Sequence, residues 1–228
     1  MMRATNFLCQ LRRLLVALAL LCTGAGALAD TFGRFLDPLN VRLLDDGRRM
    51  ELTQEFRYED PEKNLWTAPK GIVVDGASIP QALWSVVGGP LSGRYRSATV
   101  IHDWYCESQQ RDWRSTHKVF YFAMRAGGVS EVKARGMYAA VIAFGPRWGD
   151  VRIRYSDTVC VSGECREVTK ERLERSVVKL VPTEAELRQL ASMLRQFNLD
   201  DNFGLRDLED RSAALTDAKF PSELKWRR

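Results

Sequence analysis

Histidine is the scarcest reactive residue in this chain, with two imidazoles, His102 and His117, in 228 residues. Proton transfer by imidazole near neutral pH must therefore run through one of them. Internal repeats and low-complexity tracts are absent, which excludes a solenoid and a low-complexity chain. Long apolar runs are scarce too. Leu14–Leu21 is unbroken but too short to span a bilayer comfortably. That run follows Arg3, Arg12 and Arg13, no acid precedes Asp30, and Ala27-Leu28-Ala29 fits a small-x-small cleavage site. Residues 1–29 thus read as a secretory signal peptide, with no membrane span left after cleavage. Removing them takes away three Arg and leaves 199 residues at net charge +2, so the whole-chain +5 is no argument for nucleic-acid binding.

What remains has the composition of an ordinary globular protein, 45% hydrophobic and 28% charged. Of five cysteines, Cys9 and Cys22 fall in the leader. In an oxidising compartment Cys160 and Cys165 are placed to bridge across a Gly163 turn, leaving Cys106 as a thiol.

The patterning predicts an α+β fold: a small antiparallel sheet on a three-helix core, then a hairpin and a C-terminal amphipathic helix. Met50, Leu52, Phe56 and Tyr58 alternate with polar residues as one half-buried strand does. Gly71–Val74 reads as a short strand, and Asp75–Pro80 as a Gly- and Pro-punctuated loop. Helices are expected over about Tyr95–Cys106, Trp113–Ala126 and Ser130–Phe144. Val151, Ile153 and Tyr155 alternate before the cysteine pair. Pro182 and Thr183-Glu184-Ala185-Glu186 open a helix with an apolar stripe from Leu187 to Phe197. The expected organisation is 1–29 leader, 30–150 core domain, 151–200 hairpin and C-terminal helix, and 201–228 a polar, weakly ordered tail.

An antiparallel helix hairpin would bring His102, near the end of one helix, close to His117, near the start of the next. His102 is a candidate base, His117 its partner, Asp103 and Asp75 candidate oxygen ligands for calcium, and Ser78 and Tyr105 further candidates. Both histidines with a carboxylate are also a zinc set. Cys106 lies four residues after His102 on one helix face, so a thiol nucleophile is a further reading. The plain alternatives stand beside these. His117 lies on the apolar stripe of its helix, where a buried structural histidine belongs. Trp66, Trp84, Trp104 and Trp113 line either a recognition cleft or simply the core.

Val74-Asp75-Gly76-Ala77-Ser78-Ile79-Pro80, Trp84, Pro90, Gly93, Tyr95, Ala98 and His102-Asp103 together resemble the bacterial and phage family called domain of unknown function 1353. Phe120, Gly128-Val129, Met137-Tyr138, Val141 and Phe144-Gly145 also follow its pattern. That resemblance spans roughly Val41–Trp148 and implies no reaction. The His-Asp helix, an Arg-containing turn and a second helix are more distantly similar to the phospholipase A2 core. The likeness implies His102 as base, Asp103 as calcium ligand, and a lipid or other cell-envelope ester as substrate of an exported hydrolase. The chain departs from that core in three respects. His117 stands where an aspartate orients the base, no glycine-rich calcium loop precedes the helix, and the cysteine framework is missing. A non-catalytic binding or assembly module is the competing expectation.

Overall fold

The computed structural model describes residues 31–46, 49–76, 93–199 and 203–226. The leader, Ser78 and Trp84 lie outside them. Among the described residues, two three-stranded antiparallel sheets precede the helices. One has the order β1 (Arg34–Phe35), β4 (Phe56–Glu59), β5 (Leu65–Ala68); the other has β2 (Val41–Leu43), β3 (Met50–Leu52), β6 (Val73–Val74). The helices α1 (Arg96–Ser108), α2 (Trp113–Ala126) and α3 (Glu131–Phe144) follow, then the hairpin β7 (Arg147–Val161) and β8 (Glu164–Val178), then α4 (Glu184–Leu199) and α5 (Leu205–Ala214). This is the mixed α+β architecture that the patterning predicts.

The single expected strand over Met50–Tyr58 is instead two strands in different sheets. Met50, Leu52, Phe56 and Tyr58 are all buried, so the alternation is real. The chain bends at Thr53, whose N–H and hydroxyl both bond the Asn40 carbonyl, and this ends one ladder before the next begins. Tyr58 pairs across β4–β5 with Trp66, and both rings face the core. Asp60 closes the β4–β5 turn. Its carboxylate accepts the N–H groups of Glu62 and Asn64 and the indole N–H of Trp66, which satisfies a buried charge.

α1 and α2 are antiparallel because the connection is short. Gln109 ends α1 in the left-handed region, and the Asp112 side chain caps α2 by accepting from the Ser115 N–H at 3.0 Å. Every residue of α3 from Met137 to Phe144 is buried, as expected of a helix that is apolar all round. It lies in the middle of the core, between α2 and α5.

The expected weakly ordered tail is wrong for much of 203–226. Leu208, Ser212, Ala213, Phe220 and Leu224 are buried. The partners that hold them come from far earlier in the chain. Glu209 accepts from the Tyr138 hydroxyl at 2.7 Å, and the Thr216 hydroxyl bonds the Ala143 carbonyl. Arg147 is fully buried. It pairs with Asp217, donates to the Ile142 and Leu224 carbonyls at 3.0 and 3.1 Å, and stacks on Phe220 and Trp113. Burial pulls its pKa down while Asp217 pulls it up. The tail is ordered by this buried cation, a tertiary partner that no local pattern reveals.

The hairpin is far longer than the alternation at Val151–Tyr155 suggests. It pairs fifteen residues on each side, about 50 Å at strand rise. Only its base is packed: Val151, Phe220 and Leu224 form a small second core there. The Cys160–Cys165 disulfide closes its exposed tip, with the Cα atoms 4.0 Å apart.

Candidate active site

The helix hairpin brings the two histidines together inside the core. His102 on α1 is 1% exposed and His117 on α2 is fully buried. His102 Nε2 lies 2.9 Å from His117 Nδ1, a hydrogen bond between facing helices. His102 stacks on Phe120 with centroids 4.6 Å apart, and His117 meets Trp113 and Trp148 edge to face. Burial pushes the His102 pKa down to about 3. It also holds His117 well below the ordinary range, helped by His102 and the Arg147 charge, while the Pro146 carbonyl acts the other way. Both rings are therefore neutral near pH 7.

The tautomers follow from the surroundings. Nε2 of His117 has no partner at hydrogen-bond geometry, but the Pro146 carbonyl beside the ring favours a proton there. Its Nδ1 is then an acceptor, His102 Nε2 is the donor, and His102 Nδ1 carries the lone pair. That Nδ1 lies 4.0 Å from Asp103 Oδ1 and 3.9 Å from Cys106 Sγ. Asp103 and Cys106 both line a cleft of about 280 Å³, together with Val73, Val74, Asp75, Glu107, Pro146 and Lys179. Neighbours on a helix point apart, and accordingly Asp103 does not bond His102 within hydrogen-bond range. It accepts the Gly76 N–H at 2.8 Å instead. Gly76 has φ +69°, a left-handed conformation suited to glycine, so the β6 end can turn its N–H toward α1.

Of the sequence-predicted site residues, the structure gathers His102, His117, Asp103 and Asp75 around one place. Tyr105 is not among them. Its hydroxyl accepts the Thr67 N–H and its ring packs edge to face on Trp66, which ties α1 to β5. Trp66 and Trp113 are 2% and 1% exposed and fill the core, and Trp104 packs partly buried against it.

Two residues of the site carry more weight than their sequence signals suggest. Cys106 is half-buried, and its sulfur is 3.6 Å from His102 Nε2. Its i, i+4 spacing from His102 was the available clue, but only the α1–α2 packing adds His117. Gly145, legible only as a helix stop, is the second. A Cβ at this position would lie 2.9 Å from His117 Nε2 and 2.3 Å from the Val141 carbonyl oxygen. A hydrogen in place of a methyl is what lets the α3 end close over the imidazole.

A helix hairpin carrying a His–His pair under small antiparallel sheets defines an α+β domain with a buried imidazole site. Residues 50–141, the segment holding both histidines, match the family described as Protein of unknown function (DUF1353). The chain is 43% identical over 141 residues to the uncharacterized protein y4jT of Sinorhizobium fredii, covering 60% of this chain and 42% of that protein. It is 44% identical over 109 residues to the uncharacterized protein y4iH of the same organism, covering 48% of this chain and 46% of that protein. The chain thus spans less than half the length of these curated relatives. No solved structure matches it. Among the described residues, no helix is long and apolar enough to cross a membrane.

Proposed function

We propose that this chain is a hydrolase in which His102 activates water, and that its substrate is a lipid or another ester of the cell envelope. One observation carries the reading: the two nitrogens of His102 are differentiated. Nε2 is held by His117 at 2.9 Å, while Nδ1 lies 4.0 Å from Asp103, a residue that lines the cleft. A base needs this division, one nitrogen fixed and the other left to take a proton. In the reaction, Nδ1 takes a proton from water as the water oxygen attacks the ester carbonyl. The protonated ring keeps its Nε2–H bond to His117, with the Asp103 carboxylate 4.0 Å from Nδ1. The proton then passes to the departing alkoxide. Asp75 and Asp103 offer oxygen donors of the kind calcium takes, and calcium bound there would polarise the ester carbonyl.

An exported location is part of the proposal. It is supported by the leader-like residues 1–29 and by a disulfide at an exposed hairpin tip, both at home in an oxidising compartment. The binding-module alternative is weakened because Trp66 and Trp113 are core residues.

The test is turnover of short-acyl and phospholipid esters by the purified chain with calcium, beside His102→Gln. A loss of about 10²–10⁴-fold in the variant is expected for removal of a general base. Turnover that survives His102→Gln, or no ester turnover by well-folded wild-type chain, refutes the assignment.

A further inference from the structure

Cys106 is not used by the water-activating arrangement, yet its sulfur is part of the same cluster. One ring nitrogen each of His102 and His117 and the Cys106 sulfur all lie within 4.8 Å of one another, the one such group of three or more ligand-type residues among the described residues. Their pattern is not that of a nucleophile relay. In a relay the thiol meets one imidazole nitrogen and the orienting group meets the other. Here the thiol lies nearly midway between the His102 nitrogens, 3.6 Å from Nε2 and 3.9 Å from Nδ1, while His117 Nδ1 is 2.9 Å from Nε2, so the three ligand atoms crowd one small volume. Convergence on one point is what a metal ion requires.

The spacing suits zinc. A tetrahedral zinc ion, about 2.0–2.1 Å from nitrogen and about 2.3 Å from sulfur, holds its ligand atoms roughly 3.3–3.6 Å apart. The sulfur–nitrogen distance already matches, and the nitrogen pair must open by about 0.4 Å. Two nitrogens and a thiolate are a borderline-soft donor set, unsuited to calcium and suited to zinc. The imidazoles bind a metal as neutral rings, each through one ring nitrogen. Cys106 also lines the cleft, so water can supply a fourth ligand from that side.

We propose that His102, Cys106 and His117 form a binding site for a zinc-class divalent cation, and that filling it switches off His102 as a base. The switching rests on the hydrolase reading above; the site does not. Binding forms bonds from the metal to Nε2 of His102, Nδ1 of His117 and Sγ of Cys106, and the thiol proton leaves to solvent. His117 keeps its proton on Nε2. His102 must move its proton to Nδ1, where it faces Asp103 Oδ1, 4.0 Å away. The metal-bound tautomer is the reverse of the one that accepts a proton from water, so metal binding and water activation exclude each other.

Cobalt(II) is the probe, added without reductant to the full chain in a Cys9→Ser/Cys22→Ser background, which leaves the disulfide intact and Cys106 as the sole thiol. The expected spectrum has a near-ultraviolet thiolate-to-cobalt charge-transfer band and visible bands of tetrahedral intensity, both displaced by one equivalent of zinc. Cys106→Ser should abolish the charge-transfer band. Absence of the band in the parent, or its survival in Cys106→Ser, overturns the site. If esters are turned over, stoichiometric zinc must stop turnover; unchanged turnover in the zinc-loaded chain overturns the switch alone. Metal binding in a chain that hydrolyses no ester sinks the hydrolase reading and leaves the site standing.

Discussion

Replacing Gly145 by alanine places a methyl carbon 2.3 Å from the Val141 carbonyl oxygen, 2.9 Å from His117 Nε2 and 3.0 Å from His117 Cε1. Something must move. The Val141 oxygen accepts the Gly145 N–H at 2.8 Å, so moving that backbone sacrifices the bond that ends α3. Tilting His117 instead sacrifices its 2.9 Å bond to His102. Forcing a methyl into a packed core costs about 1–3 kcal/mol. An unmade hydrogen bond in a buried place adds about 1–3 kcal/mol. The expected loss is thus about 2–6 kcal/mol, or roughly 4–24 °C in Tm for a chain of this length. Urea unfolding followed by circular dichroism measures it, with an unchanged slope showing that only stability moved. Gly136→Ala is the control. That glycine sits inside α3, and its new Cβ would meet only Leu194 Cδ1, at 3.8 Å. Helix propensity there favours alanine by about 0.5–1 kcal/mol, so the control should stabilise. A Gly145→Ala chain within about 0.5 kcal/mol of wild type, or moving in the same direction as the control, would refute the close-approach argument.

The buried histidines make the metal-free chain acid-sensitive. Their folded pKa values are depressed, so between about 6.5 and 3 the unfolded chain binds more protons, and stability is lost as pH falls through that window. His102 alone contributes roughly 2–3 kcal/mol of loss by pH 4.5, with His117 adding in the same direction; melts in chelator that are unchanged between pH 7 and 4.5 would contradict this. Glu186, held near 2 chiefly by Lys219, starts to lose its own contribution as pH falls through about 4.5, so the comparison stops there. Asp217→Ala strands the Arg147 cation in the core and should cost about 3 kcal/mol, read as a drop in the urea midpoint. Cys160→Ser/Cys165→Ser should leave the core Tm within about 2 °C while amide exchange quickens at the hairpin tip, because the distal strands pack on nothing.

The parts of the fold that read well from sequence are those made by neighbours. Trp113–Ala126 was legible as a helix because Asp112 and Gly127 cap it within a turn of its ends and its apolar face repeats at helical spacing. The Asp60-Pro61 turn, the Thr183–Glu186 capping box and the Cys160–Cys165 bridge across Gly163 are likewise local, and each is present. His102 and His117 were legible as a pair for the same reason: a four-residue connection after α1 leaves few ways to place two helices but side by side. What sequence spacing could not supply is any relation set by distant packing. Met50–Tyr58 alternates as one strand would, yet the Thr53 bonds to Asn40 divide it between two sheets. Residues 203–226 are too polar to show a core face, and they are ordered by Arg147, Tyr138 and Ala143. The depressed pKa of His102, the arrival of Cys106 beside two imidazoles and the need for glycine at 145 arise only when α1, α2 and the end of α3 close on one another. Burial and convergence are properties of the packed interior, and they turn a scarce residue type into a candidate site.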